Sequence, residues 1–335
     1  MTKAGLKENR ISFLERNRNS GGYLLRKKIT SVAVSLARFI LLFGMCFMIL
    51  QPILNKISVS FMTEADLYNP TVVSIPSVFS TENYTIAWDA MKYGKGIVNT
   101  LIYSIAISVL QVAMCTIVGY GFARFNFPLK KFWFGCVMVM ILIPPQTIST
   151  SLYLHFRFFD VLGIIKLLTG DTINLRNSTL PYFLMSAGCT GLKNGLYIFL
   201  IRQFFRNLPG DLEEAAYVDG LGTFRTFVQI MLPEAKPIIT SCFLFAFVWQ
   251  WTDGFYSRMF LGGKILLSTS LAALPDSLTN YLLRLWGQTS GTVATGYINM
   301  LVSTGTLLVI LPLIILYLFA QRAFVESISS TGIKM

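Results

Sequence analysis

Long apolar segments constrain this 335-residue chain more than any other feature. An α-helix rises 1.5 Å per residue, so about 20 apolar residues cross the roughly 30 Å hydrocarbon layer of a membrane. Segments of that length can be read at about six places, numbered here as predicted spans. They are Val32 to Leu54, Ile97 to Phe122, Phe132 to Leu154, Leu180 to Phe204, Ile238 to Phe260 and Thr292 to Ala320. The sequence therefore predicts an all-α, polytopic membrane protein.

Composition independently requires a membrane. Hydrophobic residues make up 54% of the chain and charged residues only 13%, whereas soluble domains carry about a quarter charged residues. Glycine or proline interrupts the second to sixth spans, and such breaks in a membrane indicate close helix packing and hinges. The interrupting residues are Gly119, Pro144, Pro145, Gly188, Gly191, Gly195, Gly254 and Pro312.

Basic residues predict the orientation of the chain. Lysine and arginine outnumber acidic residues before the first span, and Arg124, Lys130 and Lys131 lie in the short second connection, so these parts are expected in the cytoplasm. We expect a basic cytoplasmic arm at 1–31, a transmembrane domain at 32–322 and a cytoplasmic tail at 323–335. The first span is expected to be a retained anchor rather than a removed signal peptide.

The same basic residues flank apolar spans instead of forming a face with stacking aromatics, so we expect no nucleic-acid partner. The net charge of +12 instead reflects the orientation of the spans in the membrane. We expect membrane lipid around the spans. The cysteines fall one in each of the first five spans without metal-ligand spacing, so no metal site follows and they are predicted to be small buried residues. They are Cys46, Cys115, Cys136, Cys189 and Cys242.

Catalytic signals are missing from the sequence. Gly262-Gly263-Lys264 lacks the first glycine and the final hydroxyl residue of a nucleotide-binding P-loop. No paired carboxylates share one membrane-embedded face, as a metal-dependent enzyme or a proton-coupled carrier usually requires. We therefore expect no catalytic residue and no cofactor on this chain.

A polar, helix-capable loop at about 205–236 separates the fourth and fifth spans. Asp211 followed by Glu214 has capping-box spacing, which predicts a helix from about Leu212 with Asp211 as its cap. Gly220 can take a positive φ where this short helix ends. The loop is therefore expected to be rigid.

Two small side chains are followed by two larger ones in this loop. Ala215 and Ala216 leave one surface nearly bare, so that a partner could approach the backbone closely. Tyr217 and Val218 can fill an apolar pocket in that partner. The alternative is a solvated loop without a partner, whose polar residues only cap its own helix.

The spacing of Glu214-Ala215-Ala216, Gly220 and the later Ile230-x-Leu232-Pro233 resembles the coupling loop of membrane subunits of binding-protein-dependent ABC importers. Further motifs resemble sugar-importer permeases of the maltose-permease type, from about Pro76 to the carboxyl terminus. These motifs are Asn83-Tyr84, Asn99-Thr100, Gly119 to Phe125, Phe127, Leu152-Tyr153, Arg202 to Phe205, Leu208-Pro209, Leu212-Glu213, Gln321-Arg322 and Phe324-Val325.

This resemblance implies an ABC importer permease fold in the bacterial cytoplasmic membrane, with both termini in the cytoplasm. It implies two ATPase subunits that hold ATP and Mg, a second permease subunit as a hetero-dimer partner, and an extracytoplasmic solute-binding protein that delivers a sugar or oligosaccharide. A peptide or amino acid permease, or a secondary transporter, remains as the alternative. The residues expected to couple to the ATPase are Glu213, Glu214, Ala215, Ala216, Tyr217, Asp219, Gly220, Ile230, Leu232 and Pro233.

Several residues are candidates for the translocation path. An ionisable group inside an apolar run normally faces protein or a water-filled path, and aromatic faces can stack on sugar rings. Helix packing, an interfacial aromatic belt, snorkelling of the lysine, or capping of a broken helix by the aspartate are the alternatives. The candidates are Lys193, Asn194, Trp249, Gln250, Trp251 and Asp253.

Overall fold

The computed structural model describes residues 21–161 and 163–332, with side chains as far as residue 321. Within those ranges the regular structure is helical, apart from an isolated antiparallel bridge between Phe159 and Ile173. Residues 1–20 of the predicted basic arm and the end of the predicted tail lie outside the described residues. The other predicted domain boundaries fall inside helices and stay predictions.

The first half of the described chain contains nine helices. They are α1 (Tyr23–Ser60), α2 (Glu64–Leu67), α3 (Glu82–Ala90), α4 (Tyr93–Arg124), α5 (Lys130–Leu142), α6 (Ser149–Arg157), α7 (Ile164–Thr169), α8 (Leu180–Ala187) and α9 (Asn194–Asn207). The second half continues with α10 (Asp211–Val218), α11 (Thr223–Thr226), a π-helical turn (Phe227–Met231), α12 (Leu232–Glu234), α13 (Lys236–Thr252), α14 (Phe255–Phe260), α15 (Leu267–Ala272), α16 (Leu274–Leu285) and α17 (Thr295–Gly332).

Three described helices, α1, α4 and α17, are long and apolar enough to cross a membrane unbroken. They correspond to the predicted first, second and sixth spans. α13 is long and apolar enough to cross a membrane only when it is counted together with the segment Thr223–Glu234, from which it is bent by 74°. Gly119 and Pro312 lie inside continuous helices, so the hinges expected at these two residues do not appear as breaks.

The predicted third, fourth and fifth spans are each divided into two helices. Pro144 and Pro145 separate α5 from α6, because proline removes a backbone donor and clashes with the preceding turn. A segment at 188–193 separates α8 from α9, and Asp253 with Gly254 separates α13 from α14. The interruptions predicted in these spans are confirmed.

Glycines permit the close packing at the centre of the bundle, where α4 contacts both α9 and α13. A Cβ on Gly119 would lie 2.9 Å from Ile201 Cγ2, a separation that real side chains do not tolerate. A Cβ on Gly195 would lie 3.0 Å from the Val137 carbonyl oxygen. The predicted role of these glycines in close packing is thus confirmed.

Two side chains support α17 near its proline. Pro312 has no N–H, so the Leu308 carbonyl oxygen four residues earlier loses its helical donor. The Tyr93 hydroxyl donates a hydrogen bond to that oxygen at 2.9 Å, and the Trp251 indole Nε1 donates to the Val309 oxygen at 3.1 Å. α4 and α13 therefore satisfy the backbone of α17, as membrane helices require.

The helix α1 packs along α17 but leaves its apolar side chains exposed. Cys46 lies on this exposed surface, so the prediction that all cysteines are buried is wrong for Cys46. Cys115 and Cys242 are fully buried between α4 and α13 as expected. The difference arises because α1 lies at the edge of the bundle, where lipid or another subunit would cover it.

Candidate functional site

The coupling loop begins one residue earlier than its capping pattern predicts. Gly210 takes a helical conformation, with φ −65° and ψ −31°, and stands at the N-cap without a side-chain hydrogen bond. Asp211 is consequently the first residue of α10 and not its cap. The carboxylates of Asp211, Glu213 and Glu214 lie in the first turn, where they oppose the positive end of the helix dipole favourably.

Gly220 ends α10 with a φ of +81°, as predicted. Its N–H donates to the Tyr217 carbonyl at 3.1 Å, while the Leu221 N–H donates to the Ala216 carbonyl at 3.0 Å. These two bonds form a Schellman motif, in which a glycine in the left-handed region satisfies the last carbonyls of a helix. The turn after α10 is therefore fixed by backbone hydrogen bonds.

Glu213 attaches α10 to the end of α4. Its Oε1 accepts a hydrogen bond from the Tyr120 hydroxyl at 2.8 Å, and its Oε2 lies 3.5 Å from Arg124 Nε. Arg124 also donates through a terminal nitrogen to the Leu208 carbonyl oxygen at 2.8 Å. The Glu213 side chain is only 12% exposed, so it faces its own subunit. We call this cluster of Tyr120, Arg124 and Glu213 the anchor.

The residues predicted to couple to an ATPase divide into two groups. Ala216 is buried, which contradicts the expectation that both alanines form a bare surface; it lies inward because α10 packs on α11 and the π turn. Ile230 and Leu232 are half-buried. The exposed residues are Glu214, Ala215, Tyr217, Asp219, Gly220 and Pro233.

The exposed side of the loop carries large apolar side chains. Val218 is 87% exposed, Phe224 77% and Tyr217 45%, although the loop itself is anchored. We call these three residues the coupling surface. Sequence reasoning missed Phe224, although a lone aromatic in a short, otherwise polar helix was an available signal.

Three helix breaks meet at one depth inside the bundle. α5, α9 and α13 contain 13, 14 and 17 residues, so their broken ends lie roughly 20 to 25 Å from the end of the bundle that carries the coupling loop. A cavity of about 450 Å³ lies where they meet, and we call it the break cavity. Pro144 and Gln146 line it from the first break, Lys193 from the second and Trp249 from the third.

Lys193 is the basic residue among those that line the break cavity. It stands at the N-cap of α9 with a φ of +61°, and its Nζ lies 4.8 Å from the centroid of the Trp249 ring. Two of the predicted path residues are thus brought together. Their role in translocation stays a prediction.

A chain of buried amides lies beside the break cavity. Gln111 Nε2 donates to Asn194 Oδ1 at 2.7 Å, and Gln111 Oε1 accepts from Gln250 Nε2 at 3.2 Å. A Cβ on Gly191 would lie 2.7 Å from Gln111 Nε2, so a larger residue there would displace the Gln111 amide. Gln111 has no local signal in the sequence, because only the packing of α4 on α9 and α13 brings the amides together.

The last two predicted path residues have structural partners. Trp251 is 1% exposed and packs on Phe247, away from the break cavity. Asp253 borders the cavity, but its carboxylate accepts hydrogen bonds from the N–H groups of Phe255, Tyr256 and Ser257 and from two hydroxyls, one of them that of Tyr182. Asp253 therefore holds the first N–H groups of α14, and its part in solute passage stays a prediction.

Known proteins resemble this chain in sequence and in fold. A probable ABC transporter permease protein of Pyrococcus horikoshii is 30% identical over 56% of this chain and 62% of its own length. An arabinooligosaccharides transport system permease protein of Halalkalibacterium halodurans is 25% identical over 86% of this chain and 92% of its own.

A solved structure has a similar fold. It belongs to a bacterial ABC transporter involved in the import of the acidic polysaccharide alginate, with a TM-score of 0.67, 17% identity, and coverage of 88% of this chain and 98% of the other. This likeness confirms the predicted fold. The family model of the binding-protein-dependent transport system inner membrane component matches residues 115–330, more than half of the 335 residues. The chain therefore belongs to the family of binding-protein-dependent transport system inner membrane components.

Proposed function

We propose that this chain is a permease subunit of an ATP-driven importer and that its coupling surface docks onto a partner ATPase. The observation that carries this proposal is the contrast within α10. One side of the helix is held by the anchor, while Tyr217 and Val218 on the other side are exposed. Large apolar side chains exposed on an anchored loop are typical of a surface that a partner covers.

The anchor suggests how force reaches the membrane helices. Movement of α10 would pull on α4 through Glu213 and on α9 through the bond from Arg124 to Leu208. Both helices form the centre of the bundle, so their rocking would open the break cavity alternately to the two sides. The partner ATPases hold ATP and Mg, and this chain does no chemistry on the solute.

A sugar or oligosaccharide is the proposed solute, delivered by an extracytoplasmic binding protein. The name of the Halalkalibacterium halodurans relative supports this solute class, since that protein aligns with most of this chain. A second permease subunit would complete the path, because Lys193 and Trp249 of the break cavity are exposed in the isolated chain. The proposed location is the bacterial cytoplasmic membrane.

The first test combines purification with uptake. We expect the chain to co-purify with a P-loop ATPase, and the complex in proteoliposomes with its binding protein to accumulate a saccharide only when ATP is present. A panel of oligosaccharides, amino acids and peptides identifies the solute. Uptake of a saccharide without any ATPase partner would instead indicate a secondary transporter, and uptake of peptides alone would contradict the proposed solute class.

Labelling tests the proposed orientation, with both termini and the coupling loop in the cytoplasm. Val218 and Val73 are comparably exposed, at 87% and 84%, and lie on loops that would face opposite sides of the membrane. In a chain expressed without its ATPase, we expect Val218→Cys to react with a membrane-impermeant thiol reagent only in inside-out vesicles, and Val73→Cys only in right-side-out cells. The wild-type chain with its own cysteines supplies the background. The reverse pattern would refute the coupling loop.

A further inference from the structure

Within the proposed function, we propose that the break cavity is a solute subsite on this chain and that it binds a saccharide carrying a negatively charged carboxylate or phosphate group. Lys193 would contact the anionic group and Trp249 the ring. Neither residue belongs to the coupling loop. The proposal deepens the assignment of the solute class, and it rests on that proposed function.

The position of the cavity is the first support. The helix breaks lie roughly 20 to 25 Å from one end of the bundle, well inside a hydrocarbon layer of about 30 Å. Broken membrane helices leave backbone groups unpaired, and such breaks are tolerated where they line a cavity. Transporters use broken helices to bind solutes within the membrane. A volume of about 450 Å³ fits the size range of small-molecule sites.

The charge in the cavity is the second support. Lys193 is exposed in the isolated chain, and no acidic side chain of the described residues forms an ion pair with it. It stands at the N-terminus of the 14-residue helix α9, whose dipole adds positive potential at the same point. An ionisable group at this depth marks a functional site by default, because exposing it to lipid is costly.

The carboxylate that borders the same cavity forms no ion pair with Lys193. Asp253 borders the cavity, but its oxygens accept hydrogen bonds from three backbone N–H groups at the start of α14. The hydroxyls of Tyr182 and Ser257 also donate to it. These donors occupy the oxygens of Asp253, so Lys193 has no carboxylate partner among the described residues and its ammonium can contact a ligand.

Unused hydrogen-bonding capacity is the third support. Asn194 is fully buried and lines a second cavity of about 250 Å³ that shares Lys193 with the first. Its Oδ1 accepts from Gln111, whereas its Nδ2 has no hydrogen-bond partner within the described part of the chain. Buried polar groups rarely remain unpaired, so this donor is spare hydrogen-bonding capacity directly beside Lys193.

The ring of Trp249 completes the subsite. It is 44% exposed and carries Lys193 Nζ over its face at 4.8 Å, which holds the cation beside an apolar surface. A saccharide can place its C–H face on such a ring while its charged group reaches the ammonium. A neutral saccharide would use the ring but bring no negative charge to the ammonium, so the subsite favours the anionic solute.

Binding to the full complex in nanodiscs tests the proposal. The probes are an oligogalacturonate, a neutral maltooligosaccharide of equal length, and glucose 1-phosphate, which separates a carboxylate from a phosphate preference. We expect an anionic probe to bind more tightly than the neutral one. Lys193→Gln should weaken that binding about 10- to 100-fold, as expected when a charged hydrogen bond is lost, while Lys193→Arg retains most of it.

Lys264→Gln, an exposed lysine in the turn after α14, serves as the matched control and should change nothing. Equal binding of charged and neutral probes, or no binding of either anion, would overturn the proposal. Loss of the second permease from the Lys193→Gln complex would also overturn it, because the lysine would then be an interface residue. ATP-driven uptake of neutral sugars alone would defeat this inference and leave the proposed function intact.

Discussion

Gly220→Pro and Glu214→Lys should each uncouple uptake from ATP hydrolysis while the complex still inserts into the membrane. Proline holds φ near −65° and has no N–H, whereas Gly220 has a φ of +81° and donates to Tyr217. The change should therefore cost about 3 kcal/mol in the turn after α10 and lower uptake more than about tenfold. Glu214→Lys places a positive charge at the positive end of the α10 dipole, on its exposed side.

The measurement is ATP hydrolysis and solute uptake by the same proteoliposomes. Gly222→Ala is the matched control, because Gly222 has a φ of −77° and open space around its Cβ position. We expect it to keep normal uptake. If both variants of the loop import solute at the wild-type rate, then α10 is not the element that receives force.

Glu213→Gln should destabilise the complex and slow uptake, whereas the same change at the adjacent Glu214 should cost only the weaker dipole interaction, about 0.3 to 1 kcal/mol. Glu213 accepts from Tyr120 and pairs with Arg124 in a partly buried site, so neutralising it leaves Arg124 without its anion. The expected cost is about 1 to 3 kcal/mol. Glu214 is exposed and has no side-chain hydrogen bond among the described residues.

A double-mutant cycle separates the anchor from a general loss of charge. We expect Tyr120→Phe and Glu213→Gln to show a coupling energy of about 0.5 to 2 kcal/mol in thermal unfolding, because the two groups share one hydrogen bond. Equal shifts in the Glu213→Gln and Glu214→Gln complexes would show that Glu213 has no special role. A stable Glu213→Gln complex with normal uptake would show that force passes by another route.

Much of the architecture follows from local sequence patterns. Apolar length predicts the continuous helices α1, α4 and α17, because a run of that length can only be buried in lipid. Pro144 with Pro145 and Gly254 predict breaks, since each acts on the backbone of its own segment. Gly220 likewise has its predicted positive φ, because the end of α10 requires it.

The candidate sites depend on contacts between distant segments, and there sequence patterns are insufficient. The spacing of Asp211 and Glu214 predicts a capping box, yet Gly210 continues the helix and displaces the cap by one residue. Glu213 and Glu214 are indistinguishable by composition. Only the position of Tyr120 at the end of α4 decides that the first faces inward.

The sequence by itself determined that the chain lies in a membrane, where its helices break, and where a rigid polar loop interrupts them, because hydrophobic length, proline and glycine act locally. The tertiary structure alone decided that Lys193 lies over Trp249 and that Gln111 joins two other buried amides. Those pairings join residues separated by up to 139 positions, so only the packing of α4, α9 and α13 could establish them.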